Sequence, residues 1–499
     1  MTRQDLVAHL IDSAKTQLCS YFEALPPERG MRLDGIEAEL GALVQEVSRG
    51  LWEVVLAALH KRAEQQAGTC AGCQRCCSRE AQEVSVVVKG RTVKVPVVYY
   101  YCRRCRRGQA PLRQWLGIHD GSASGGFARA LVSLCLLRSF GEAAQQMEEQ
   151  HGQPVDRTRA ERVTYEVGKE AQRYLLARRT KAVERVQEAI GRTSGVDLLE
   201  LVADGGSVPV GTLVRPSREK ATEFTDKRKL PKGKREQTKR EVRLISVHRH
   251  QVRTERVVDL HVAPLNQPEV TGERMYACAL LAGLGDNTRV HGVFDMGTWI
   301  RTQFQAQFSE AQHSACCDIY HVYEYLADAA SALFPRDENL RKDWLSVMRP
   351  WLKESQSDQV AQQLCAHLCR PGCPKDDHGD CRAQVALRYL DHFQSYMDYA
   401  RFIAEELPIG SGEAEGSIRH LIRRRLDIPG AWREDHVDML CALLSIKTSG
   451  WWDDFWHWRD KQDQERFHLR LAGKLKATAF RGVPRHRRQP AEMEAHPAN

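Results

Sequence analysis

Residues 198–206 read LLELVADGG, and the fold turns on how that stretch is taken. An apolar run ending in an acid and two glycines predicts a buried strand that stops at Asp204. Working outward, VRLISVHRH (242–250) and VVDLHVAPL (257–265) predict two further strands. ERMYACALLAGLG (273–285) predicts a helix closed by Gly283 and Gly285. VHGVFDMGTW (290–299) then predicts a fourth strand whose last residue before the turn is Asp295. After a helix around Ile300 to Phe308, HSACCDIYHVYEYLADAASAL (313–333) predicts a short fifth strand passing into a helix, with Asp318 and His321 at the junction. Cys316 and Cys317 beside Asp318 read as strand core. A third acidic context, PIGSGEAEGSIRHLIRRR (408–425), opens a helix after Pro408 and Gly412.

Carboxylates brought together from two strands and a distant helix are the ligands a pair of Mg²⁺ or Mn²⁺ ions needs at a phosphodiester. Asp204, Asp295 and Glu415 are the candidates, with Asp318 as the alternative second ligand. Glu413 lies two residues from Glu415; on a helix such positions face roughly opposite ways, so only one can point into a site. Arg419 and Arg423 follow Glu415 at helical spacing and are candidates for contact with flanking phosphates.

Upstream, Ile36 to Glu64 shows a helical apolar stripe. Cys70-x-x-Cys73, the alternating segment VSVVVKGRTVKVPVVYYY (84–101) and Cys102-x-x-Cys105 form the pattern of a zinc ribbon, with Lys89-Gly90 at the hairpin turn. Cys76 and Cys77 crowd the first pair, and either is an alternative to Cys73. From Phe127 to Glu166 two helices meet at a polar turn, and Asp156 is a plausible N-cap of the second. That helix begins with Arg157, Arg159 and Arg162, which suits contact with DNA in a helix-turn-helix manner. Cys365, Cys369, Cys373 and Cys381 leave a second zinc site open.

The 499 residues exceed one core and predict several folding units. The net charge of +8 is unevenly placed. Between Arg215 and Arg240 eleven Lys or Arg face four acids, and between Lys461 and Arg488 nine face two. Basic patches in an otherwise balanced chain point to a polyanion partner. No apolar run reaches signal-peptide or membrane-spanning length, so a cytoplasmic, nucleoid-associated protein is expected, its cysteines serving as metal ligands and buried thiols.

The whole set of motifs resembles the DDE transposases of bacterial insertion sequences, most closely the ISKra-type family. The likeness runs through the paired Cys-x-x-Cys, APLRQWLGI (110–118), SFGEAAQQM (139–147), ADGGSVPV (203–210), DMGTWI (295–300), DIYHVYEYL (318–326), the 408–425 segment and the Trp-rich WWDDFWHW (451–458). The resemblance implies a ribonuclease H-like catalytic core, Mg²⁺-dependent cleavage and strand transfer on double-stranded DNA, a homo-oligomer on DNA and no nucleotide cofactor. It makes Asp318 and His321 an accessory Asp-x-x-His pair. Two departures stand out: Glu413 occupies a position that is usually apolar, and Met296 separates Asp295 from Gly297.

The expected architecture is therefore α/β and multidomain. It comprises an N-terminal helical region (1–66), a zinc ribbon (67–110), a helix-turn-helix-like region (111–192), the first part of a ribonuclease H-like core (193–335), a helical Cys-containing insertion (336–403), the core's C-terminal helices (404–460) and a basic, disordered tail (461–499). A non-catalytic DNA-binding descendant and a nuclease without strand transfer are the alternatives.

Overall fold

The computed structural model describes residues 3–24, 33–64, 70, 72–118, 122–188, 194–214, 234–264, 266–368, 381–412, 416, 418–427 and 431–471. The chain divides into two compact units, residues 1–127 with 459–499 and residues 128–458.

The first unit contains α1 (Arg3–Ala24), α2 (Leu33–Glu64), β1 (Ser78–Val88), β2 (Arg91–Cys102), β3 (Arg107–Gln109), α3 (Pro111–Leu116) and β4 (Ser122–Ala123), in a four-stranded sheet of order β3-β2-β1-β4. The β1–β2 hairpin turns where Val88 pairs with Arg91, and Gly90 there takes φ 83°, a conformation open to glycine without steric cost. Alternation along both strands sends Val84, Val86, Val88, Val93, Val95 and Val97 to one face, where Leu56 and Ala63 from the second half of α2 and Leu112 from α3 cover them. The predicted stripe of α2 thus seals the sheet through its C-terminal half, while Leu40 and Val44 near its start stay exposed.

The second unit is α/β with a mixed sheet. It carries α4 (Gly125–Cys135), α5 (Phe140–His151), α6 (Arg157–Glu188), β5 (Leu198–Val214), β6 (Lys234–Arg249), β7 (Val252–Val262), α7 (Pro268–Ala282), β8 (Arg289–Phe294), α8 (Thr298–Gln307) and β9 (His313–Cys317). There follow α9 (Ile319–Leu333), α10 (Glu338–Lys353), α11 (Ser357–Leu368), α12 (Arg382–Phe393), α13 (Tyr399–Ala404), a π-helical turn (Ile418–Arg423), α14 (Glu434–Thr448) and the start of α15 (Trp452–Leu471), whose residues from Arg459 on are counted with the first unit. The five strands lie in the order β7-β6-β5-β8-β9; β5, β6 and β7 are antiparallel, and β8 and β9 run parallel to β5. Leu199, Leu201, Ala203, Ile245, Val247, Val290 and Phe294 share one face with Met275 and Cys278 of α7 and Ile300 and Phe304 of α8. Burying such side chains is the largest favourable contribution to the fold, about 1.5–3 kcal/mol each.

Two expectations are corrected. Strand β5 does not end at Asp204: it runs to Val214, paired with β6 residue by residue, and what stops near Asp204 is its parallel ladder with β8. The basic tail does not begin at Lys461, because α15 continues to Leu471; residues 472–499 and most of the basic stretch 215–233 lie outside the described residues. Ile418–Arg423 is a π-helical turn, a winding that still brings backbone positions four apart to roughly one side. Arg423 is exposed, and the side chain of Arg419 is outside what is described.

A buried polar network ties α6, β7, α7 and α14 together. Asp259, 3% exposed, accepts hydrogen bonds from Arg179, from Arg274 at 2.9 Å and from His261 Nδ1 at 2.9 Å. Despite its burial, the two guanidinium groups and His261 hold its carboxyl far below the usual carboxylate range. Asp438 of α14 accepts from Gln172 at 2.7 Å and from the Val262 backbone, and Ser445 Oγ accepts from the edge-strand N–H of Leu260 at 2.8 Å. Among the described residues no helix is long and apolar enough to cross a membrane.

Candidate functional site

The register of the sheet assembles the site. Val202 pairs with Val293 on the β5–β8 ladder, and Phe294 pairs with Cys317 on the β8–β9 ladder. Continuing each ladder in step puts Asp204, Asp295 and Asp318 abreast on three adjacent strands. Neighbouring strands are about 5 Å apart, so the three backbones are spaced at that interval. Because side chains alternate, the aspartates project from the face opposite Leu199, Leu201, Ala203 and Phe294, the face that also carries Glu200 and His291. Asp295 and Asp318 sit one residue past the ends of β8 and β9; Asp204 remains within β5, level with them because β8 has already turned away.

Each carboxylate is held by local backbone. Gly205 N–H donates to Asp204 Oδ1 at 2.6 Å and Gly297 N–H to Asp295 Oδ1 at 3.0 Å. Asp318, 7% exposed, caps α9 by accepting from Tyr320 N–H at 2.9 Å, and its other oxygen accepts from Ser411 Oγ. Met296, which interrupts the expected Asp-Gly, adopts φ 65° and is buried; the left-handed turn falls on it and Gly297 is left to start α8. Burial raises the Asp204 carboxyl to about 6; the Gly205 N–H and His321 oppose the rise, and the charges of Asp295 and Asp318 add to it. Among the groups that shape it most strongly, His321 supplies the one opposing charge and no Lys or Arg takes part.

The 408–412 segment docks on this end of the sheet. His291 Nε2 donates to the Pro408 carbonyl at 2.9 Å while its Nδ1 accepts from Ser314 at 2.8 Å, and Ile319 N–H donates to the Ile409 carbonyl at 2.9 Å. An added Cβ on Gly410 would come within 2.4 Å of the Tyr320 ring, so this close approach requires glycine. Glu413 and Glu415 lie outside the described residues; Ser411, four positions before Glu415, is the residue bonded to Asp318.

The insertion contributes side chains that the spacing of residues alone did not reveal. Tyr389 of α12 donates to the Asp295 carbonyl at 3.0 Å and lies 3.2 Å from Cys317 Sγ, and Tyr399 of α13 donates to the Cys317 carbonyl at 3.0 Å. Both tyrosines therefore bolt the insertion to the strand ends that carry the acids. His321, partly buried, stands edge-on to Tyr325 and Tyr389 and lies 3.3 Å from Glu324. Buried Glu200 contacts His250 Nδ1 at 2.6 Å and, more loosely, His248. Nothing in the linear order of Tyr389, Tyr399 or Glu200 marks them, since only the sheet and its packing bring them close.

At the start of α6, Asp156 accepts from Arg159 N–H at 2.9 Å, as an N-cap should. Arg157 and Arg162 are exposed there, and Arg159 and Arg162 line a 330 Å³ surface hollow. From Ala160 onward the helix is buried on one side, and it belongs to the same compact unit as the five-stranded sheet.

In the first unit, Cys70, Cys73, Cys102 and Cys105 bring their sulfurs within 4.8 Å of one another, the only group of three or more potential metal ligands so closely gathered among the described residues. Cys73 Sγ and Cys102 Sγ are 3.5 Å apart. Tetrahedral zinc with bonds of about 2.3 Å needs sulfurs about 3.8 Å apart, so the set fits Zn²⁺. Backbone N–H groups of Gly72 and Cys73 pull the Cys70 thiol down to about 6, whereas hydrogen bonds from Cys73 and Cys70 push Cys105 up to about 12. A first thiolate is favoured and further ones repel, which a bound cation resolves. Cys76 is exposed and Cys77 only borders the cluster, so neither replaces Cys73. Of the insertion cysteines, Cys365 is exposed on α11 and Cys381 is buried before α12, while Cys369 and Cys373 lie outside the described residues.

No protein-family model matches the chain, and no curated protein matches it.

Proposed function

We propose that this protein is a DDE-type DNA transposase with a ribonuclease H-like catalytic core. The observation that carries the reading is the row Asp204, Asp295, Asp318 at one end of a sheet ordered 3-2-1-4-5, with its first strand central and its last two strands parallel to it. That order and those directions are the ones expected of a ribonuclease H-like core, and an acidic row whose one opposing charge among the groups acting on Asp204 is His321 suits divalent ions.

Asp204, Asp295 and Glu415 are the groups that would hold Mg²⁺ or Mn²⁺, with Asp318 and His321 beside them. Two such ions supply an activated oxygen nucleophile and neutralise charge on the attacked and leaving oxygens. Ions about 3.5–4 Å apart, each bonded at about 2.1 Å, spread their ligands more widely than a single-ion cage. This suits carboxylates set out along a sheet edge rather than clustered like the four cysteines. Asp204, with a carboxyl near 6, is ionised at neutral pH and gains or loses its proton easily there. Asp318 and Ser411 fix the segment that leads to Glu415, and Tyr389 and Tyr399 keep the strand ends rigid. The four-cysteine site is read as structural zinc, and Arg157, Arg159 and Arg162 as contacts to element-end DNA. Joining two element ends requires at least two copies of the chain, so a homo-oligomer on DNA belongs to the reading.

The test uses duplexes selected from a random library by binding, end-labelled and incubated with Mg²⁺ and a target plasmid. Wild type is expected to cleave and to join the cut 3′ ends to the plasmid. Asp204→Ala, Asp295→Ala and Glu415→Ala are expected to bind DNA without either product. Cleavage without joining makes the protein a nuclease, and binding without any product from wild type makes it a non-catalytic DNA binder.

A further inference from the structure

A second concave site in the sheet-bearing unit is built for an anion. It is a pocket of about 540 Å³ between the loop after α4, strand β7, the residues Gly416, Leu421, Arg424 and Arg425, and α14. Arg256, Arg424, Arg425 and Lys447 line it, the rest of its described lining is apolar apart from Thr448, and no carboxylate belongs to that lining. Arg425 is 3% exposed. Its Nε donates to the Cys135 carbonyl at 2.6 Å, and its guanidinium lies 4.9 Å from the Phe140 ring and 5.2 Å from the Trp432 ring. Among the described residues its Nη2 is buried with no hydrogen-bond partner. A buried cationic donor left unmet is costly, and an acceptor arriving with a ligand would meet it. Lys447, partly buried, donates to the Ser133 carbonyl at 3.4 Å and lies 5.6 Å from the Trp452 ring; burial lowers its pKa and no acid counteracts this.

The size is that of a small-ligand site, not of the groove a duplex backbone would need. Four cations suit a phosphate, while Leu137 and Leu444 offer apolar surface to whatever carries it. We infer that this pocket holds one nucleotide of a single-stranded DNA segment, its phosphate against Arg425, Arg424 and Lys447. The anion chemistry is independent of the proposed activity; the choice of a DNA strand as the phosphate's carrier rests on that reading.

The experiment measures fluorescence anisotropy of a labelled ten-residue oligothymidylate in EDTA over a series of salt concentrations, using full-length Asp204→Asn protein so that no cleavage intervenes. Arg424→Gln and Lys447→Gln are the variants, because removal of Arg425, wedged between two aromatic rings, endangers folding; circular dichroism melts confirm that both are folded. Each is expected to weaken binding at least about fivefold and to lower the slope of log affinity against log salt by about 0.7, the loss of one single-strand phosphate contact. Thymidine monophosphate is expected to compete only at much higher concentration than the oligomer, and thymidine not at all. Unchanged affinity and slope in both folded variants, or no binding by the parent protein, overturns the proposal. Competition by the monophosphate at the oligomer's own concentration overturns the assignment to a strand. None of these results touches the acidic row, so the cleavage assay stands or falls separately.

Discussion

Replacing Asp204 with Asn is expected to make the folded protein more stable at neutral pH while abolishing its proposed chemistry. In the folded state the Asp204 carboxyl sits at about 6, against about 3.9 for an unfolded aspartate. A raised carboxyl pKa means that the folded state resists ionisation. Its stabilising effect is whole below the unfolded pKa, where the group is protonated in both states, and is withdrawn as pH climbs from about 4 through 6. Above that window the native protein bears a cost of up to about 3 kcal/mol, at about 1.4 kcal/mol per pH unit of displacement. Partial exposure of the side chain reduces this to roughly 1.5–3 kcal/mol. Asn retains the oxygen that accepts from Gly205 N–H and carries no charge, so Asp204→Asn should recover that amount at pH 7.5 and nothing at pH 4. Urea unfolding followed by tryptophan fluorescence in EDTA at both pH values reads the difference. Added Mn²⁺ should then stabilise wild type and leave the variant nearly unmoved, since only an ionised carboxylate row binds the ion in the folded state. A variant no more stable than wild type at pH 7.5, or a gap that persists at pH 4, would refute the claim that burial, aided by the neighbouring acids, makes the ionised Asp204 costly to the fold.

Three further outcomes follow from the packing. Asp259→Asn leaves Arg179 and Arg274 facing an uncharged group and should cost about 3–5 kcal/mol at pH 7 in urea unfolding. Because the native carboxyl is depressed, that contribution is complete above the unfolded pKa of about 4 and diminishes as pH falls toward the folded value, so the deficit should shrink below pH 4. Cys102→Ser should reduce bound zinc from one per chain to none by elemental analysis and strip hydrogen-exchange protection from β1 and β2, since metal binding of this type supplies on the order of 10 kcal/mol. Gly168→Val should destabilise by about 1–3 kcal/mol in the same unfolding assay, because even a Cβ there would stand 2.7 Å from Met439 Cβ and 3.2 Å from its carbonyl oxygen where α6 meets α14.

The strands around Asp204 and Asp295 were legible because each is a short apolar run closed by an acid and a glycine or turn residue, and local patterning is what a strand requires. The four-cysteine cluster was legible for the same reason: each Cys-x-x-Cys spacing is itself a local turn that pairs two sulfurs. Where local pattern misled, a nonlocal partner had intervened. Gly205 and Gly206 signalled a strand end, but pairing with β6 carries β5 on to Val214, and the tail expected after Lys461 is still helix to Leu471. The sequence by itself determined the order of the strands along the chain, the two Cys-x-x-Cys pairs and the acids near the strand ends. Only tertiary structure decided that Cys70, Cys73, Cys102 and Cys105 are the four that cluster, that Asp204, Asp295 and Asp318 stand abreast, that Tyr389 and Tyr399 brace them, and that Arg425 is buried with no acid bonded to it among the described residues. Those relations depend on ladder register and on which helix covers which face, and register between strands separated by dozens of residues is set by collective packing rather than by any local run of sequence.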